Sequence, residues 1–240
     1  MPDTRHHRGP HPEDAELFAP ANWPRLQSAV ADYSWLLGRG YAEPSAIKIV
    51  GDRYELNLRQ RMAVVRSSCT DAASDRRIAK AVIPNDVAGE SLWIDGFNVL
   101  TTIEVALGGG VILAARDSCF RDIASVHGTY RNVQETRPAI ELVGQVIETM
   151  QPRECRWYLD SPVGNSGRLK HLILEIAGEH AWPWAVELVP NPDPVLVASD
   201  AIVATADSVI LDGCRRWTNL ARHVVEHHHL MAHAVPLSTP

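Results

Sequence analysis

Leu92-Trp93-Ile94-Asp95-Gly96-Phe97-Asn98-Val99-Leu100 is the stretch on which the fold turns. It opens with apolar residues, places one carboxylate, a glycine and an asparagine, and returns to apolar residues. A short apolar run of this kind reads as a buried strand. A strand that finishes in Asp-Gly sets its carboxylate at the carboxyl edge of a sheet, with backbone close by. In open α/β sheets, ligands bind at that edge.

Downstream, apolar runs and helical periodicity alternate. Residues 101–107 begin a helix that Gly108-Gly109-Gly110 ends, and 111–115 reads as a short second strand. Residues 136–150 predict a helix, with Pro138 near its first turn and Ile140, Val143 and Ile147 on one face. Residues 155–159 predict a strand ending in Asp160, 168–178 a helix, and 185–189 a strand. Short apolar pieces follow at 195–197, 202–205 and 209–211, then a final helix at 218–229. Such alternation implies a parallel sheet flanked by helices.

Upstream, Leu26, Val30, Tyr33, Leu36 and Leu37 recur at helical spacing after Asn22, a candidate cap, and Gly38-Arg39-Gly40 stops the helix. Residues 45–50 and 54–58 read as short strands or a helical turn, and 58–67 as a second, basic helix. The expected organisation is a disordered N-terminus at 1–13, a mainly helical domain at 14–88, an α/β domain at 89–232 and a loop-like tail at 233–240.

The chain has 240 residues, 45% hydrophobic and 22% charged, ordinary for a globular protein. No apolar run approaches the ~20 residues that span a bilayer. Residues 1–13 are polar and lack the apolar core of a secretory signal. Cys69, Cys119, Cys155 and Cys214 are scattered, with no Cys-x-x-Cys pair. They read as reduced thiols of a cytoplasmic protein, and neither as a disulfide frame nor as a zinc site.

Net charge is −6, which argues against a protein coated in basic groups. Residues 45–90 hold eight basic and six acidic residues, whereas the remainder holds 15 basic and 23 acidic. Nucleic acid held beside an acidic site fits this asymmetry, and so does ordinary surface charge.

Four segments share one design, in which an apolar piece finishes on a carboxylate: Ile94-Asp95, Leu159-Asp160, Ala198-Ser199-Asp200 and Ala204-Thr205-Ala206-Asp207. In a parallel sheet their ends converge. Clustered carboxylates stay ionised only with a compensating cation. Oxygen-only donors favour Mg²⁺ or Mn²⁺ over zinc, and such an ion activates water against a phosphoryl group. Asp is also a common helix cap after a strand, so each position alone has an ordinary explanation.

Ile94-Asp95-Gly96-Phe97-Asn98-Val99-Leu100 resembles the first-strand motif of the PIN and NYN nuclease superfamily, and Val203-Ala204-Thr205-Ala206-Asp207-Ser208 resembles its late Thr-x-Asp strand. The whole chain also resembles an uncharacterised prokaryotic family, domain of unknown function 434, whose C-terminal part is grouped with PIN-like domains. Leu159-Asp160-Ser161-Pro162-Val163, Asn165-Ser166-Gly167-Arg168 and His127-Gly128-Thr129-Tyr130-Arg131 carry that resemblance. It implies a PIN-like α/β domain and metal-binding carboxylates at Asp95, Asp200 and Asp207, with Asp160 in support. Asn98 would orient Asp95 or a water. The family's helix acid has no clear match here; Glu104 is the candidate by position, and reads equally as a solvated helix residue. The resemblance also implies a homodimer.

The function these readings converge on is metal-dependent hydrolysis of RNA phosphodiester bonds, with DNA as the other candidate substrate. Arg59, Arg61, Arg66, Arg76 and Arg77 would hold the backbone, with Arg116, Arg121 and Arg168 nearer the metal. Arg121 and Asp122 could equally pair internally, and Ser166 could simply cap a helix. The alternative is a catalytically inactive nucleic-acid-binding or scaffold protein built on the same shell. A small-molecule phosphatase with an aspartyl nucleophile would place a second Asp two residues on, where Phe97 and Pro162 stand instead. His223-Val224-Val225-Glu226-His227 matches an inverted zinc-protease pattern, but no Asp or Glu follows it. Gly108-Gly109-Gly110 lacks the Gly-Lys-Ser/Thr of a phosphate loop.

Overall fold

The computed structural model describes residues 7–124, 130–231 and 233–238. The first helices are α1 (Asp14–Leu17), α2 (Trp23–Gly38), α3 (Glu43–Arg53), α4 (Leu58–Ser67) and α5 (Asp71–Ala79). The Asp95 strand, β1 (Ser91–Asp95), leads into α6 (Gly96–Leu107). Two short strands follow, β2 (Ile112–Ala114) and β3 (Phe120–Asp122), then α7 (Thr136–Met150). The remainder runs β4 (Glu154–Asp160), α8 (Ser166–Glu179), β5 (Trp184–Val189), α9 (Pro192–Val197), β6 (Ile202–Ala204), α10 (Ser208–Gly213), β7 (Arg216–Thr218), α11 (Leu220–His227) and β8 (Ala234–Pro236).

The main sheet has the order β5-β4-β1-β6-β7, and every pairing in it is parallel. The protein is therefore a mixed α/β structure: a five-stranded parallel sheet flanked by helices, with an N-terminal helical region. Strand β1 lies in the middle, with Ile94 opposite Trp157 of β4 and Ala204 of β6. Its Leu92 and Ile94 are fully buried against α6, α7, α8 and α11. Its Trp93 faces the opposite layer, which α9 and α10 supply through Leu196, Ile210 and Leu211. Opposite-face burial of alternate residues is what a central strand requires.

A second sheet, β3-β2-β8, joins the two regions. Leu113 of β2 packs into the core of the N-terminal helices with Leu26, Val30 and Val64. Its neighbour Ile112 packs instead with Val105 of α6 and Val225 of α11. The small sheet thus presents one face to each region.

This arrangement settles some open local readings and corrects others. Residues 45–50 are helical, within α3. Residues 195–197 and 209–211 belong to α9 and α10, because Asn191 and Asp207 accept the first free N–H groups there and Pro192 pre-sets the first turn of α9. Residues 234–236 of the tail form β8, parallel to β2. From His7 onward the N-terminus is held in place: Arg8 is buried and its Nε donates to Glu104 at 2.6 Å. Among the described residues no helix is long and apolar enough to cross a membrane. All four cysteines are buried and unpaired.

Gly144 of α7 allows the helix to seat on Trp182, whose ring a Cβ there would meet at 1.8 Å. Trp182 stacks on Trp184 with ring centroids 4.7 Å apart, so it has little room to withdraw. Gly144→Ala is expected to cost about 1–3 kcal/mol by overpacking. Urea unfolding of both proteins measures it, and equal midpoints would contradict this packing.

Candidate active site

The strand order reverses its direction of growth between β1 and β6. Such a reversal opens a crevice at the carboxyl edge. Asp95 ends β1 beside it, and Thr205-Ala206-Asp207 leave β6 on its other side. Asp160 ends β4 at the same edge.

Asp95 is the pivotal group. It is 8% exposed and precedes α6, yet its side chain makes no capping hydrogen bond. Instead Thr205 Oγ1 donates to Asp95 Oδ2 at 2.8 Å. Burial pushes the Asp95 carboxyl up to about 7, against the Thr205 hydrogen bond, and the charges of Asp207, Asp193 and Asp160 push the same way. Asp160 is raised by burial and by Asp193, and Asp193 by burial and by Asp207. These carboxylates stand close enough to feel one another.

The supporting geometry is tight. The Asp207 amide donates to Thr205 Oγ1 at 3.0 Å, so this hydroxyl ties Asp95 to the turn after β6. Asn98 Oδ1 accepts from the Ala206 amide at 2.8 Å. Asn98 therefore locks the start of α6 to that turn rather than orienting Asp95 directly. Asp207 is in part an ordinary cap, since its Oδ1 accepts from Val209 and Ile210 of α10.

Asp200 does not join the cluster. It precedes β6 and so lies at the amino edge, where its 82% exposed side chain pairs with Arg215. The carboxylate that takes its place is Asp193, in the first turn of α9. The signal was present in the sequence: the apolar strand at 184–189 leads through Pro190-Asn191-Pro192 to Asp193, in the design of the other segments. Thr205 was likewise visible inside the quoted motif without being assigned a role.

Glu104 is neither a solvated residue nor part of this edge. It is fully buried, accepting from Arg8, from Thr136 Oγ1 at 2.6 Å and from the Tyr130 hydroxyl. The arginines are largely engaged in internal pairs. Arg59 is held by Asp14, Arg61 by Asp52, Arg116 by Asp71 and Arg66 by the Asp122 carbonyl. Arg121 is buried, with its guanidinium on Asp117 at 2.8 and 2.7 Å and its Nε on the Ala206 carbonyl. Arg77 is also buried and bridges Asp117 and Asp212. Arg168 and Arg76 remain exposed. His127, Gly128 and Thr129 of the third signature lie outside the described residues. Glu226 of the His-rich helix pairs with Arg222 at 2.8 Å.

A cleft of about 960 Å³ opens between the N-terminal helices and this edge, with Asn98, Ala206 and Asp207 in its wall. Among the described residues no group of three or more His, Cys, Asp or Glu is placed to hold a metal ion.

Residues 84–223 match the family described as Domain of unknown function (DUF5616), and residues 25–80 match Protein of unknown function (DUF434). The first match covers more than half of the chain, which therefore belongs to that family. The DUF434 likeness is confined to the helical region, so the motif at 159–163 falls in the DUF5616 segment instead. An uncharacterized protein of Methanocaldococcus jannaschii is 30% identical over 186 residues, covering 78% of this chain and 88% of its own. No solved structure matches.

Proposed function

We propose that the chain is a metal-dependent ribonuclease, hydrolysing RNA phosphodiester bonds at the carboxyl edge of the main sheet. The observation that carries this reading is Asp95: a buried carboxylate at the switch point, unused as a cap, among three further carboxylates that raise its pKa. An acid held in that state gains most from a cation. The resemblance of 94–100 and 203–208 to PIN and NYN motifs supports the same reading, since the two stretches adjoin across β1 and β6.

The donors are oxygens throughout, which suits Mg²⁺ or Mn²⁺. Mg²⁺ keeps several waters and takes one or two carboxylates plus substrate phosphate, so a closed protein cage is not required. Asp95 would hold the ion with Asp160, Asp193 or Asp207 as its neighbour. The bound ion would supply an acidified water and neutralise charge on the phosphoryl oxygen. Thr205 fixes the Asp95 carboxylate through its hydroxyl, and Asn98 fixes the turn that carries Thr205.

A second reading, a catalytically inactive RNA-binding protein, draws on the capping role of Asp207, which occupies one of its oxygens. A mixed pool of single-stranded and structured RNA, incubated with Mn²⁺, Mg²⁺ or EDTA, separates the two. Metal-dependent cleavage that Asp95→Asn abolishes supports the ribonuclease. Salt-sensitive RNA retention by both proteins without cleavage supports the binding protein.

A further inference from the structure

The cleft between the N-terminal helices and the sheet edge is a feature that the carboxylates do not explain. Its size of about 960 Å³ suits a nucleotide and part of its neighbour. Its wall includes four acids, Glu43, Asp122, Asp207 and Asp212, and beside them three kinds of group that suit a nucleotide. Tyr41 and Val209 line it and are 50% and 64% exposed, so both are open to a ligand in the cleft. Tyr33 also lines it, is 1% exposed, and has a buried hydroxyl with no hydrogen-bond partner among the described residues. Arg76 lines it, is exposed and stands in no ion pair among the described residues, whereas Arg77 and Arg121 in the same wall are paired with Asp117 and Asp212. Asn98 and Asp207 place the cleft directly beside Asp95's hydrogen-bonded turn.

We infer that this cleft seats one unpaired nucleotide of single-stranded RNA next to the scissile phosphate, an inference that rests on the ribonuclease reading. Tyr41 offers its ring to the base, with Val209 as an apolar neighbour. Arg76 meets a phosphate of the backbone, and the Tyr33 hydroxyl meets a polar atom of the nucleotide. A duplex keeps its bases stacked inward, so only an unpaired base reaches an aromatic face. The helical region thereby acts as the specificity element for chemistry done at the sheet.

The test is fluorescence anisotropy of a short labelled single-stranded RNA on the full chain in EDTA, where no metal-dependent cleavage intervenes. Tyr41→Ala and Arg76→Glu are each expected to weaken binding about tenfold. Tyr33→Phe is expected to weaken it about fivefold with unchanged thermal stability, since the hydroxyl has no protein partner to lose. Arg215→Glu, the same charge reversal at the opposite edge, is expected to bind as wild type. The RNA annealed to its complement is expected to compete poorly. Wild-type affinity in all three cleft variants, equal competition by the duplex, or no binding at all would overturn the inference. The two readings fail separately. Cleft-dependent binding without Mn²⁺-dependent cleavage overturns the ribonuclease and leaves the cleft. Cleavage whose KM ignores Tyr41 and Arg76 overturns the cleft and leaves the ribonuclease.

Discussion

Asp117→Ala is expected to lower the unfolding free energy by about 3–5 kcal/mol, the cost of removing one partner from a buried ion pair. Asp117 is 2% exposed. Its two oxygens accept from Arg121 at 2.8 and 2.7 Å and from Arg77 at 2.8 Å, and the Cys119 amide adds a fourth donor. Without the carboxylate, two guanidiniums remain buried, and Arg121 keeps no acid partner among the described residues. The effect reaches beyond the turn. Arg77 sits on α5 and also grips Asp212 of α10, so Asp117 is one of the points where the N-terminal helices are fastened to the α/β region. Burial pushes the Asp117 carboxyl up, but Arg121 and Arg77 outweigh it and hold it well below the usual range. A depressed carboxyl contributes stability above its unfolded pKa and loses it as pH falls through that value toward the folded one. Urea unfolding at neutral pH, repeated below pH about 4, reads both effects. The advantage of the wild type over Asp117→Ala should begin to shrink below pH about 4 and keep shrinking as pH falls toward the folded value. An equal gap at both pH values would contradict the ion-pair account.

Asp95→Asn is the second large expectation, and it pulls stability and activity apart. The folded chain raises this carboxyl from 3.8 to about 7 through burial and neighbouring carboxylates. A raised acid is favourable to the fold only while protonated, so its ionisation destabilises the chain as pH rises from about 4 to about 7. At pH about 8 the metal-free variant should therefore be more stable than wild type, by about 2–4 kcal/mol. RNA cleavage should fall at least about a hundredfold. Added Mg²⁺ should raise the melting temperature of the wild type and leave the variant unmoved. Melting curves at pH about 5 and about 8, with and without Mg²⁺, check all of this. A variant less stable than wild type at both pH values would mean that Asp95 is a structural residue.

Long periodic segments and the central strand were legible in the sequence, because α2, α7 and β1 each carry their own pattern. The short elements were not. Three apolar residues at 195–197 or 209–211 look alike as strand or helix, and the deciding caps, Asn191 and Asp207, act through hydrogen bonds that only the folded turn creates. Strand β8 exists through pairing with β2, more than a hundred positions away in the chain. The same distance hid the fate of the arginines. Arg77 meets Asp212 across 135 positions and Arg66 meets the Asp122 carbonyl across 56, so a locally basic segment became a set of internal ties.

The candidate site was legible to the extent that it follows strand direction. Asp95, Asp160 and Asp207 follow their strands and share the carboxyl edge. Asp200 was misplaced because it precedes its strand, and Asp193, which follows β5, stands with the cluster instead. The role of Thr205 depends on two hydrogen bonds, one to a residue 110 positions away.

The most direct test of the central claim is a titration of Mn²⁺ onto the metal-free full chain, read by the electron paramagnetic resonance of free Mn²⁺. The account predicts saturable binding of a hydrated ion by the wild type, displaced by Mg²⁺ and lost in Asp95→Asn. Binding that survives in Asp95→Asn, or no binding to the wild type at millimolar Mn²⁺, would contradict it.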